Sequence, residues 1–241
     1  MSCCAISKRS IGQPFPKSDP RTILVDTALP QTLGNEVGKV FSYKLTSVER
    51  EDGKLVQHGC GPNFQGGRIT LCTCMRYHRT WPSIDKGTWI AGFSGNPENE
   101  LFYVMKIGAI SDNFAELWTS GLLPDVKAKS ACKDIFGDAY VPRSLKTAGD
   151  PHDPRSYEEP IKNHKHHEQP DDHEWHKDIR YWTQDKNRKC NRTMKPRLHK
   201  LLIGEPGKSF VWEHPKYRHK GKHPRMKFTS LTSFISHLVP L

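Results

Sequence analysis

At 241 residues the chain can form one large domain or two small ones and is long enough to bury a core. Only 35% of its residues are apolar and its mean hydropathy is −0.71, which excludes packed interior throughout and assigns part of the chain to loops or arms. The formal charge of +11 is local: residues 186–227 hold 14 Lys or Arg against Glu205 and Glu213, and the rest is close to neutral. Such a basic segment points to a polyanion, nucleic acid before acidic membrane, against the plain alternative of a solvated charge run.

Seven cysteines, few and odd in number, point to reduced thiols in an intracellular, cytoplasmic protein. No run reaches the ~18 apolar residues of a membrane span, and the segment after Met1 lacks the apolar stretch of a secretory signal. No membrane association is expected. Oligomeric state is not legible.

In chain order, residues 1–37 carry four prolines (Pro14, Pro16, Pro20 and Pro30) and one short apolar run, Ile23-Leu24-Val25. They read as an extended arm that docks through that run. Residues 38–241 are expected to form a single domain. Lys39 to Ser47 alternates with period two, placing Phe41, Tyr43 and Leu45 on one strand face. Residues 58–67 hold four glycines and Pro62, a composition that favours a loop, either one lining a ligand or an ordinary connection. Arg68 to Met75 is expected as a second strand, with Gly87 to Phe93 and Glu100 to Ile110 as a third and fourth joined by a turn-rich link.

Ser111, Asp112 and Asn113 offer N-caps for a short helix over FAELW, with Glu116 placed for a capping box. Residues 149–197 are acidic, then His-rich, then basic, and read as a long excursion from the core. Leu201 to Ile203 and Ser209 to Trp212 read as a hairpin. Leu231, Phe234, Ile235 and Leu238 fall at helical spacing after Thr229 and Ser230, predicting a closing amphipathic helix.

Four constellations bear on chemistry. His58, Cys60, Cys72, Cys74 and His78 are of zinc-ligand type, but the one-residue gap between Cys72 and Cys74 is not knuckle spacing, and no metal is expected. His164, His166, His167, His173 and His176 form a tract that reads as a solvated loop before a weak metal site. Cys74, with His58 or His78 as base, is the candidate nucleophile if an enzyme is present, although buried structural cysteine is the commoner role. Trp175, Arg180, Tyr181, Trp182 and the stretch from Phe210 to Arg218 interleave rings with cations as base-stacking surfaces do. Walker, dinucleotide-binding and nucleophile-elbow motifs are absent from the sequence, and no cofactor is expected.

The strings KVFSYKL, GCGPNF, ITLCTCM, KGTWIAGF and LFYVMKI, followed by FAELW, resemble the nucleotide-modification-associated domain, type 2, of bacteria and phages. Motif positions fall on Pro62, Asn63, Phe64, Thr70, Leu71, Thr73, Cys74, Gly87, Trp89 and Gly92. Thr88 stands where the family has an acid, and Met75-Arg76 where it has Lys-Pro. The strand run is also similar to the PUA, ASCH and EVE barrels. The resemblance implies an α+β protein with a PUA-like, mostly antiparallel barrel from Lys39 to about Ile110, completed by Leu201 to Trp212 and the C-terminal helix.

It implies binding of a modified nucleobase or nucleotide, in nucleic acid, in a DNA-modification or phage-defence context. The implied ligand residues are Pro62, Asn63, Phe64, Thr70, Thr73, Cys74 and Trp89, with Asn63 reading base edges and Phe64 or Trp89 stacking. Arg188, Lys189, Arg192, Arg197, Lys216, Arg218, Lys220 and Lys222 are the expected phosphate contacts. The alternatives are an enzyme acting on the base or nucleotide through Cys74 or a histidine, and a basic interaction module for nucleic acid or a protein partner.

Overall fold

The computed structural model describes residues 23–24, 29, 33, 35–59, 61–71, 84–130, 139–144, 151, 153–158 and 201–241. The fold is α+β and rich in sheet. Eleven strands are described: β1 (Ile23–Leu24), β2 (Val40–Lys44), β3 (Val48–Glu51), β4 (Lys54–Gln57), β5 (Thr70–Leu71), β6 (Trp89–Phe93), β7 (Leu101–Ser111), β8 (Leu201–Val211), β9 (Tyr217–His219), β10 (Lys227–Phe228) and β11 (Leu238–Pro240). Among the described elements, the short helices α1 (Phe114–Thr119) and α2 (Leu231–Ser236) accompany them.

The main sheet runs β1-β8-β7-β6-β2-β10, with β5 also on β8. It is mixed: β2 lies parallel to β6 and β1 parallel to β8, while β6-β7, β7-β8, β5-β8 and β2-β10 are antiparallel. Among the described residues it does not close into a barrel. Two-stranded ribbons, β3-β4 and β9-β11, flank it.

Strand alternation on β2 and β6 feeds two cores, one per face, and a third cluster gathers Leu201 and Ile203 of β8 with Phe114, Leu117, Tyr140 and Tyr157. Along β6, Trp89, Ala91 and Phe93 enter one cluster and Ile90 the other. On β2, Phe41 and Tyr43, with Leu45 just beyond, share the face of Ile90, as the period-two pattern predicts, and Val40 takes the opposite face. A register shift at Gly92/Phe93 lets Leu101 pair with Phe93 and Tyr103 with Gly92. The residue skipped between them explains why consecutive Phe102 and Tyr103 both enter the first cluster.

Two expectations are refined by this arrangement. Leu201 to Trp212 is not a hairpin, because both halves run antiparallel to the same strand, β7, with Gly204 opposite Ile107 and Ser209 opposite Met105. Residues 205–208 are an excursion within one strand. Of the run Ile23-Leu24-Val25, Ile23 and Leu24 pair with Phe210 and Val211, Val25 lies outside the described residues, and Leu29 and Leu33, both helical, sit in the second core.

The caps follow the sequence closely. Asn113 Oδ1 accepts from the Glu116 amide at 2.8 Å, but the Glu116 carboxylate reaches the Asp112 amide at 2.7 Å, one residue ahead of the reciprocal contact of a capping box. Ser230 caps α2 through the Ser233 amide, and Leu231 and Phe234 bury against the second core.

Candidate nucleic-acid interface

The loop at 61–71 is folded inward. The Asn63 and Thr70 amides and carbonyls exchange hydrogen bonds at 3.0 Å, which closes the loop and brings Arg68 back toward Asn63. Lys129, fully buried, enters this closed loop. Its ammonium donates to Asn63 Oδ1 at 2.7 Å, Asn63 O at 2.9 Å and Arg68 O at 2.6 Å.

A desolvated ammonium is costly unless all its protons are satisfied, and three oxygens converging on it meet that demand. Asn63 Oδ1 also accepts from the Gln65 amide. The turn carrying Lys129, a 3-10 turn over Val126–Lys129, packs against the loop at Gly66. There φ is +70° and a Cβ would stand 2.4 Å from Asp125 O, so only glycine is accommodated.

The expected ligand residues are therefore distributed as follows. Pro62, Asn63, Phe64 and Thr70 lie together and are buried, with the Phe64 ring 5.8 Å from that of Phe102. Trp89 is not brought to them. It lies on the opposite face of the sheet, wholly buried in the second core, with its indole N–H donated to Val37 O at 3.2 Å. Thr73 and Cys74 lie outside the described residues, as do Arg188, Lys189, Arg192 and Arg197.

The described part of the basic segment is outward-facing. Residues 214–227 contain Lys216, Arg218, Lys220, Lys222, Arg225 and Lys227, three histidines and no acid. Arg218, Lys220 and Lys222 are exposed and Lys216 half-buried.

The backbone beneath them is well anchored. β9 pairs with β11, the backbones of Arg218 and Glu100 form an isolated antiparallel β-bridge, and the His219 amide donates to Asn99 O at 2.9 Å. Farther on, Met226 and Ser42 exchange backbone bonds and the Lys227 ammonium stands 5.5 Å over the Phe41 ring. His219 is buried edge-on against Phe93. Burial, reinforced by nearby His237, holds its pKa below the usual imidazole value despite the opposing Gly221 hydrogen bond.

A polar cleft of about 550 Å³ opens beside this segment, walled by Thr46, Glu49 and Arg50 on one side and Gly95, Asn96, Glu98 and Glu100 on the other. Glu100 is 2% exposed. Its carboxylate takes both Arg50 Nε (3.2 Å) and Arg50 Nη2, together with Asn96 Nδ2 at 2.9 Å. The hydrogen-bonded carboxylate raises the Arg50 pKa.

Sequence reasoning passed over both this cleft and Lys129. The one available signal for the cleft was an acid opening the otherwise apolar strand LFYVMKI, since a carboxylate there needs a cationic partner. Among the described residues, no group of three or more His, Cys, Asp or Glu side chains could hold a metal, and no helix is long and apolar enough to cross a membrane.

Of the zinc-type residues His58 is described, and its Nε2 lies 2.5 Å from Glu51 Oε1. No family model, curated protein or solved structure matches the chain.

Proposed function

We propose that the protein binds nucleic acid, with the phosphates following the basic segment at 214–227. The observation that carries this reading is the run of six Lys and Arg without one acid, including exposed Arg218, Lys220 and Lys222 on a backbone tied to the sheet. A phosphate chain gains affinity there through counterion release, and a fixed backbone limits the ordering cost of the contact.

A modified base as the preferred feature, and kinship with the nucleotide-modification-associated family and PUA-like barrels, are the finer part of the proposal. They rest on motif resemblance. The buried state of Asn63 moves base recognition away from that side chain, whose carbonyl oxygen is already engaged by Lys129 and Gln65.

A titration with labelled single- and double-stranded DNA and RNA, plain and base-modified, at two salt concentrations tests the reading. The expected outcome is binding whose log K falls with log salt by about 0.7 to 0.9 per phosphate neutralised and which is lost when Arg218, Lys220 and Lys222 are changed to Glu. Unchanged binding in that variant overturns it.

A second reading is favoured by the His58–Glu51 pair, since a carboxylate that orients an imidazole is what a general base requires. On that reading the protein acts on the base or nucleotide, with Cys74 as nucleophile. A Cys74→Ser variant that still binds but no longer turns substrate over would establish it.

A further inference from the structure

The cleft beside Glu100 has fixed walls. The Leu45 amide donates to Phe93 O at 2.7 Å, Gly95 to Val48 O at 2.8 Å and Ser94 to Glu100 O at 2.8 Å. A Cβ on Gly95 would stand 2.8 Å from Leu45 O, so the walls meet at a distance that only glycine permits. At the base, buried Glu100 fixes the plane of the Arg50 guanidinium through two hydrogen bonds; Arg50 Nη1 donates to Gly53 O at 3.2 Å, each Nη keeps one further N–H, and the side chain remains 41% exposed. The cleft thus presents an oriented donor in Arg50 and acceptors in the exposed carboxylates of Glu49 and Glu98. Its volume is in the range of small-molecule sites.

Charge determines which part of a nucleic acid enters. Glu49, Glu98 and Glu100 against Arg50 leave the lining negative and exclude phosphate, which the adjoining cations of 216–222 attract instead. The two surfaces meet where the backbones of Glu100 and Arg218 pair in an antiparallel β-bridge and at the Asn99 side chain, which donates to Lys222 O. A strand whose phosphates lie on the basic segment therefore has its uncharged bases beside the cleft.

We infer that the cleft is a base subsite for the amino-bearing edge of cytosine or adenine. The exocyclic amine donates to the carboxylates of Glu49 and Glu98, as cytosine N4 does to acidic side chains, and a neighbouring ring acceptor receives from Arg50. Thymine and uracil place a carbonyl oxygen where the amine would be, facing the acids.

This inference rests on the nucleic-acid reading above, and its test separates the two. Labelled oligo(dC), oligo(dA) and oligo(dT) are titrated into the wild type, a Glu49→Gln/Glu98→Gln variant and an Arg218→Glu/Lys220→Glu/Lys222→Glu variant. The glutamates are exposed, and circular dichroism verifies that each variant is folded. The wild type should favour dC and dA over dT by about tenfold, and the glutamine variant should lose that ratio while keeping its salt slope. An unchanged ratio in the glutamine variant, or none in the wild type, overturns the base subsite and leaves the basic-segment reading intact. Absence of binding to every oligonucleotide by the wild type overturns both.

Discussion

The loop at 61–71 and the segment at 214–227 are both polar and turn-rich, yet they dispose of their polar groups in opposite ways. In the loop, Asn63, Arg68 and Thr70 turn their carbonyls and amides toward one another and toward the ammonium of Lys129. The segment instead ties its backbone to β11, Asn99 and Ser42 and leaves the Arg218 and Lys222 side chains outside, with Lys220 exposed while donating to Ser236 O. Hydrogen-bonding capacity spent on the interior stabilises the fold, whereas capacity left at the surface is available to a partner. Two segments of similar appearance in sequence thus differ in what their loss should cost.

The largest effect should come from Lys129. Lys129→Met removes three hydrogen bonds from a charged donor, to Asn63 O, Asn63 Oδ1 and Arg68 O, while Asn63 O keeps the Thr70 amide and Asn63 Oδ1 the Gln65 amide. At ~1.5–3 kcal/mol per hydrogen bond to a charged group, the stability read from a urea curve should fall by about 3 kcal/mol. Oligonucleotide affinity, measured where the variant remains folded, should be close to wild type. A Lys129→Met variant as stable as the wild type would break the comparison.

Next is Gly66→Ala. Positive φ and the approach of Asp125 O should together cost about 2 kcal/mol in a denaturation curve. The matching change in the basic segment, Gly221→Ala, meets only His219 ring atoms at 3.4 Å and should shift stability by less than about 0.5 kcal/mol.

Charge removal should show the reverse pattern. Changing Arg218, Lys220 and Lys222 to Ala should leave the melting temperature nearly unchanged, as exposed charges contribute little to stability. The salt slope of oligonucleotide binding should become shallower by about 0.7 for each phosphate of a single strand that is no longer neutralised.

The smallest effect concerns pH. The unfolded chain protonates His219 near the ordinary value of about 6.5, while burial keeps the folded ring neutral to lower pH. The contribution of His219 to stability is therefore complete above about pH 6.5 and declines as pH falls through the folded pKa. Denaturation curves across that range should show the decline, and a His219→Phe variant should flatten it.

How much of this was legible in the sequence depended on whether a signal was local. Period two in VFSYKL sorted Phe41, Tyr43 and Leu45 correctly because one strand in one sheet decides their direction. The caps at Asn113 and Ser230 were legible for the same reason, their partners lying three residues away.

Lys129 was not legible, since the oxygens that hold it come from residues more than 60 positions earlier. Nor was the side on which Trp89 packs relative to Phe64. Their motif positions share a run of sequence but not a face of the sheet. The hairpin expected at 201–212 failed because a glycine-proline interruption is compatible with either a reversal or an in-strand excursion. Only pairing with β7 decides between them.

The parallel pairing of Ile23 and Leu24 with Phe210 and Val211 also bears on self-association. An uncovered strand flank offers unpaired amides and carbonyls as a template for another chain. These two residues occupy that template at one end of β8, as β5 does at Leu202 and Ile203. The flank is thereby covered by the chain itself, and tethering makes that pairing intramolecular rather than dependent on a second molecule.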